Sequence, residues 1–325
     1  MFVKIIVLIL IILFIPQAYF FLSDKKSKRY AWEAIANGED FKLLCLDNLY
    51  IHGKIYKVPD PKAVVQIVHG ALEHKERYMD LIKFLNKKGY SVVISDNRGH
   101  GESVNKKYPL GHINSLDQVI DDQLVINDYI KSHSDKDIYM IGHSMGSMIA
   151  RNFLKNYDYR IKKLVLTGTV TYNPLVYLAI FVGNIINFYM GFYGNSKILK
   201  RLYSSGMSEG WLSFNEENLM EAKNDKLMLE SFTNRGYLTV FHAMKELKNH
   251  RAYKLKNKDL KILSITGDCD QVVGGKKGLM DTIKTLKKIG YKNVSYFIMP
   301  HMKHEVLREN NKEDVFKIIE EFFNS

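Results

Sequence analysis

A serine sits between two glycines at residues 142–146, Gly-His-Ser-Met-Gly, where the apolar run Ile138 to Ile141 gives way to a helix-friendly stretch. Two later loops carry groups that could serve such a serine. After the run KILSIT come Gly267, Asp268, Cys269 and Asp270, and after VSYFIM come Pro300, His301 and His304. A serine hydroxyl is a weak nucleophile until a base takes its proton. The base needs an acid to hold its tautomer and stabilise the imidazolium. Acyl transfer through a serine ester is the chemistry that such a set performs, here in the chain order serine, acid, histidine. Either aspartate can supply the acid and either histidine the base. The plain alternative is a structural turn at Ser144, which needs neither partner loop.

Bringing three loops together requires strands that end on one rim. Short apolar runs at 63–70 (AVVQIVHG), 90–99 (YSVVISDNRG), 137–144 (DIYMIGHS), 162–170 (KKLVLTGTV), 260–267 (LKILSITG) and 294–300 (VSYFIMP) read as strands. Between them the spacing predicts helices over 75–88, ended by Gly89, over 115–132, after Ser144, over 276–290 and over 312–323. Residues 41–58 read as a hairpin turning near Asp47-Asn48. Strands alternating with helices imply a mostly parallel sheet covered on both faces. Right-handed crossovers place the carboxyl ends of its strands on one rim, where ligands bind. The Gly-x-Ser-x-Gly pattern fits that rim, because a sharp strand-to-helix turn that exposes the serine leaves no room for side chains two positions away.

On HGALEHKERY (69–78), DNRGHGES (96–103), GHSMG (142–146), GDCDQVV (267–273) and HMKHE (301–305), the sequence resembles the α/β-hydrolases. Within them it is similar to the monoglyceride lipase and lysophospholipase group, which is also grouped with the serine aminopeptidases. The resemblance runs from about residue 41 to the end and is weakest over 171–255. It implies an α/β-hydrolase fold with an inserted helical cap and no cofactor. It favours Asp270, three residues after Gly267, as the acid, and His304, followed by the acidic Glu305, as the base. It assigns the two oxyanion donors to the amides of Ala71 and Met145. Leu72, where relatives often carry a smaller residue, and His143 are expected to face the substrate. Glu73, His74, Arg77 and Tyr78 are expected to fix their loop by hydrogen bonds, and Asp96, Arg98, Gly99 and His100 to build a turn. Gln271 departs from the group's frequent proline. The implied activity is serine hydrolysis of an ester, with a monoacyl lipid as substrate. Aminopeptidase or acyltransferase chemistry on the same triad, and a non-catalytic membrane-tethered binding protein, remain the alternatives.

Composition excludes other classes. The 325 residues are 46% hydrophobic and 25% charged, ordinary globular values. The net charge of +12 comes from lysines spread over most helices, without a nucleic-acid-binding signature. The histidines show no H-E-x-x-H or Cys/His cluster, so no metal is expected. Cys45 and Cys269 are expected as free thiols in or near the core. No obligate protein partner is evident. Residues 1–24 are a hydrophobic membrane anchor or signal: MFVKIIVLILIILFIPQAYFFL has about the length of a span, and its bulky end makes a poor cleavage site. Secretion after cleavage is the alternative. Residues 25–40 form a basic linker, with Lys25, Lys26, Lys28 and Arg29 favouring a cytoplasmic position. The hydrolase domain is expected over 41–325, with a cap over 171–255. The cap's first half, YNPLVYLAIFVGNIINFYMGFYG, packs the cap itself or offers a greasy wall to an acyl chain or a bilayer.

Overall fold

The computed structural model describes residues 34–37, 40–45 and 47–325. The expected anchor and most of the basic linker lie outside the described residues. Among the described residues no helix is long and apolar enough to cross a membrane.

Among the described residues nine strands form one sheet in the order β1-β2-β3-β5-β4-β6-β7-β8-β9. The hairpin is β2 (Asp40–Leu44) with β3 (Tyr50–Tyr56), and Asn48 makes its turn with φ 62°. A short strand, β1 (Ala34–Asn37), pairs antiparallel with β2 inside the stretch expected to be linker. Its four residues are too few to show a period. The next strands are β4 (Val64–Val68), β5 (Ser91–Ser95), β6 (Ile138–His143), β7 (Lys163–Thr167), β8 (Lys261–Gly267) and β9 (Asn293–Met299), all mutually parallel.

Alternation along the strands makes two cores. Val64 and Val68 point into one and Val65 and Ile67 into the other, as the two-residue period demands. The first core packs against α2 (Leu116–His133) and α3 (Met145–Tyr157). The second packs against α1 (Met79–Lys87) and α9 (Lys312–Asn324). Ser115 caps α2 by accepting from the Gln118 amide. Among the described residues β9 has one neighbour, β8, and Tyr296, Phe297 and Ile298 of its apolar run are exposed. Cys45 is buried beside Asp122, but Cys269 is exposed. The expectation of a core position fails there because the loop after β8 leads out to solvent.

Between β7 and β8 the chain leaves the sheet and forms the cap: α4 (Val176–Met190), α5 (Lys197–Tyr203), α6 (Glu216–Asn224) and α7 (Asn234–Lys245). Gly183 brings α4 close to Leu238 of α7. The buried Asn187 side chain donates to the carbonyls of Gly183 and Asn234, which ties the two helices together. The other face of α4 is open: Leu178 and Phe181 are 55% and 64% exposed. After β8, α8 (Gly275–Ile289) returns the chain to β9.

Candidate active site

Ser144 follows β6 and precedes the first residue of α3, with φ 50° and ψ −116°. A non-glycine residue held there is strained, the kind of strain that collects at functional sites. The flanking glycines make the turn possible. A Cβ on Gly142 would lie 2.5 Å from the Gly146 carbonyl oxygen, and one on Gly146 would lie 2.0 Å from that of Val68. Both distances are shorter than atoms tolerate.

The structure brings Ser144, His304 and Asp270 together. Ser144 Oγ lies 2.7 Å from His304 Nε2, and His304 Nδ1 lies 3.0 and 3.1 Å from the two Asp270 oxygens. His304 and Asp270 are buried, while Ser144 is half-buried at the cavity. The geometry suits a neutral imidazole that donates from Nδ1 to Asp270 and accepts the serine proton at Nε2. Burial alone would lower the His304 pKa, but the Asp270 carboxylate outweighs it and holds it above its ordinary value. Burial pushes the Asp270 carboxyl up, and His304 with the amides of Val272 and Val273 outweighs that and brings it below its usual range. The competing residues stand elsewhere. His301 is exposed, and Asp268 is exposed and accepts from the Met302 amide.

The loop after β4 lies directly against the serine, since a Cβ on Gly70 would come within 3.2 Å of Ser144 Cβ. Its amides have distinct engagements. Gly70 donates to the Glu73 carboxylate and Leu72 donates to His100 Nε2 at 3.3 Å. The Ala71 amide lies between them. Burial lowers His100 to about 3, so its ring is neutral and Nε2 can accept while Nδ1 donates to the Arg98 carbonyl. The Met145 amide is at the first position of α3, where the helix offers no partner.

Buried polar groups hold these loops. Arg77 donates to both Glu305 oxygens, at 2.8 and 3.1 Å, and lies 3.3 Å from Glu73. Asn218 of α6 donates to Glu305 at 2.6 Å, so the cap reaches into the same network. His74 pairs with Asp225, at the end of α6, at 2.6 Å. Arg98 grips Asp122 with two nitrogens and Asp47 with a third. A Cβ on Gly99 would meet the His112 carbonyl at 2.4 Å, so that segment is a tight turn.

A cavity of about 860 Å³ opens on Ser144 and Met145 and runs under the cap, large enough for a sizeable organic ligand. Its walls differ from the sequence expectation. His143 is not among the lining residues: it is buried, 3.1 Å from Thr167 Oγ1, and packs against Tyr78 and His304. Leu72 is not among them either; it packs on the core, and its carbonyl accepts from the Leu229 amide. The lining comes instead from Met148, Val176, Leu202, Tyr203, Phe241 and Trp211, among others. Trp211 lies 5.0 Å from the His304 ring, centre to centre. Val176, with Leu175 and Ala179, falls in the cap stretch expected to pack the cap or to offer a greasy wall; nothing in the sequence marks Leu202, Tyr203, Trp211 or Phe241, because a wall that accepts an apolar ligand reads like ordinary helix packing. Gln271, at the position where proline is frequent, exchanges two hydrogen bonds with Ser208 of the cap, at 2.7 and 2.8 Å.

The model of the serine aminopeptidase S33 family matches residues 59–311. The chain belongs to this family. Within it, the chain is 27% identical over 268 residues to Phospholipase YtpA of Bacillus subtilis, covering 82% of this chain and 97% of that protein. It is 25% identical over 276 residues to a probable lysophospholipase L2 of Haemophilus influenzae, covering 79% and 82%. Its fold is that of the α/β-hydrolases, shared with a carboxyl esterase from Bacillus coagulans at a TM-score of 0.76 and 20% identity, over 91% of this chain and 99% of that one.

Proposed function

We propose that this family member is a serine hydrolase that cleaves the ester of a monoacyl lipid. The observation that carries the reading is Ser144 Oγ held 2.7 Å from a His304 backed by Asp270, lining a large and mainly apolar cavity. His304 takes the serine proton as Oγ attacks the ester carbonyl. The amides of Ala71 and Met145 stabilise the oxyanion. Collapse of the adduct releases the alcohol, which takes the proton from His304. Water, activated by the same imidazole, then attacks the acyl-enzyme; the fatty acid leaves and Ser144 regains its proton. Met148, Phe241 and their neighbours receive the acyl chain.

The same reading places the protein at a bilayer, held by residues 1–24 with the basic cluster at 25–29 on the cytoplasmic side. The open face of α4 supports this. Leu175, Leu178, Phe181, Ile185 and Tyr189 recur at helical spacing, and each is more than 40% exposed. Such a stripe is suited to burial among lipid headgroups.

Hydrolysis of monoacylglycerols and lysophospholipids of varied chain length, compared with aminoacyl amides, tests the proposal. Lipid esters are expected to be turned over with the higher kcat/KM. A clear preference for aminoacyl amides contradicts the lipid reading. Fractionation with and without residues 1–24 tests the placement: the full chain is expected to stay in the membrane through an alkaline carbonate wash, and the truncated chain, held by α4 alone, to be released by it.

A further inference from the structure

We infer that the outward face of α8 is a docking surface for an anionic lipid leaflet, and that it directs this protein to membranes rich in anionic phospholipid. The inference rests on the bilayer placement proposed above and adds the lipid charge which that placement requires. Five lysines of α8, Lys276, Lys277, Lys284, Lys287 and Lys288, are exposed. At 3.6 residues per turn they fall within about a third of the helix circumference. Leu279, Ile283 and Leu286 take the buried side. The acid of α8, Asp281, is paired with Lys248. None of the five lysines has a carboxylate partner among the described residues.

Nothing in the helix itself calls for this pattern. α1, α2, α6 and α9 each carry an acid in the first turn, where the helix dipole favours negative charge. α8 has no acid there and has Lys276 and Lys277 instead, against its dipole. Lys284 and Lys288 stand four residues apart, a spacing at which like charges repel. These lysines work against the helix, and a negatively charged surface relieves both effects. The face also lies beside the way to the serine. Lys277 and Leu175 line the same cavity as Ser144, and both are exposed. Leu175 begins the apolar stripe of α4. The basic face and the apolar stripe therefore meet at one cavity. A leaflet that takes the stripe among its head groups brings those head groups to α8, where each lysine near an anionic surface adds to the attraction. A soluble polyanion matches the charge but has no use for the apolar stripe next to it.

The test reads the lysines directly. The full-length protein is reconstituted into vesicles of phosphatidylcholine, or of phosphatidylcholine with phosphatidylglycerol, and acetylated with a membrane-impermeant reagent; the modified lysines are mapped by mass spectrometry. Acetylation of Lys284, Lys287 and Lys288 should be slower on the anionic vesicles by about fivefold or more, and high salt should restore it. Lys83 of α1 and Lys317 of α9, which are exposed on helices packed against the other core, should react alike on both. A neutral monoacylglycerol carried in the vesicles gives a second reading. Wild-type hydrolysis should rise when phosphatidylglycerol is added. That gain should vanish in Lys284→Gln/Lys287→Gln/Lys288→Gln, with turnover of a short soluble ester unchanged, and persist in Lys284→Arg/Lys287→Arg/Lys288→Arg. Equal acetylation of the three lysines on both vesicles overturns the inference and leaves the bilayer placement standing. A gain that survives in the glutamine variant also overturns it, and assigns the response to the cluster at 25–29. Protection by single-stranded RNA or polyglutamate, with none on anionic vesicles, makes the face a site for a soluble polyanion and overturns it too. Failure to associate with either vesicle removes the bilayer placement together with this inference.

Discussion

The rim of the sheet and the cap above it are built by opposite rules. At the rim, side chains are buried, paired and held from several directions. Glu73, Arg77, Asp96, Arg98, Asp270, His304 and Glu305 are all at most 5% exposed, and each has polar partners. In the cap, α4 turns large apolar side chains to solvent and keeps only a narrow face for packing. The rim holds the reacting groups at hydrogen-bond distance, as proton transfer needs. The cap presents surface, and surface is what a shapeless apolar substrate or a lipid layer requires. The two meet in a few contacts: Asn218 on Glu305, His74 on Asp225, and Gln271 on Ser208.

The comparison breaks first at the rim. Asp270→Asn should lower kcat by about 10⁴, the scale expected when the imidazole loses its orienting carboxylate. The pH profile gives a second reading. His304 must be neutral to accept a proton, and Asp270 holds its pKa above the ordinary 6.5. Wild-type kcat/KM should therefore rise with pH through a midpoint above that value. In the variant the raising charge is gone while burial remains, so the midpoint of the residual activity should move to lower pH. Steady-state rates over a pH series check both effects.

Gly146→Ala probes the same rim through its backbone. The new Cβ would collide with the Val68 carbonyl at 2.0 Å, and overpacking of this kind costs about 1–3 kcal/mol. Urea unfolding should show a lower midpoint together with loss of activity.

Changes in the cap should be smaller and should depend on how substrate is presented. Phe181→Ser with Leu178→Ser removes two exposed apolar groups of α4. Hydrolysis of a lipid ester in vesicles should fall several-fold relative to a short soluble ester, and vesicle co-sedimentation of the chain lacking residues 1–24 should weaken in parallel. Equal loss on both substrates would show that the stripe serves folding alone. The smallest effect is expected from Gln271→Ala, which removes the two hydrogen bonds to Ser208. A neutral hydrogen bond contributes about 1 kcal/mol, so KM should change a few-fold with kcat little altered.

This contrast also explains what the sequence discloses. The strands and the serine turn are legible because steric rules write them as apolar runs and glycines. Choosing Asp270 over Asp268 and His304 over His301 from residues alone is not possible, since both members of each pair follow the same strand. Burial and hydrogen bonding separate them. That Glu73 and Arg77 fix their loop is what the resemblance implies; that Arg77 does so by gripping Glu305, far along the chain, is shown only by the structure. The cavity wall is illegible for another reason: Trp211, Phe241 and Tyr203 have the composition of any packed helical region. The exposure of β9 is not legible either, because an apolar run does not say how many neighbours it will have.

The most direct test is covalent labelling with a fluorophosphonate, followed by peptide mapping. One modified residue is expected, Ser144, with labelling abolished in Ser144→Ala and strongly slowed in His304→Ala. Well-folded wild-type protein that takes no label, or a label that persists in Ser144→Ala, would contradict it.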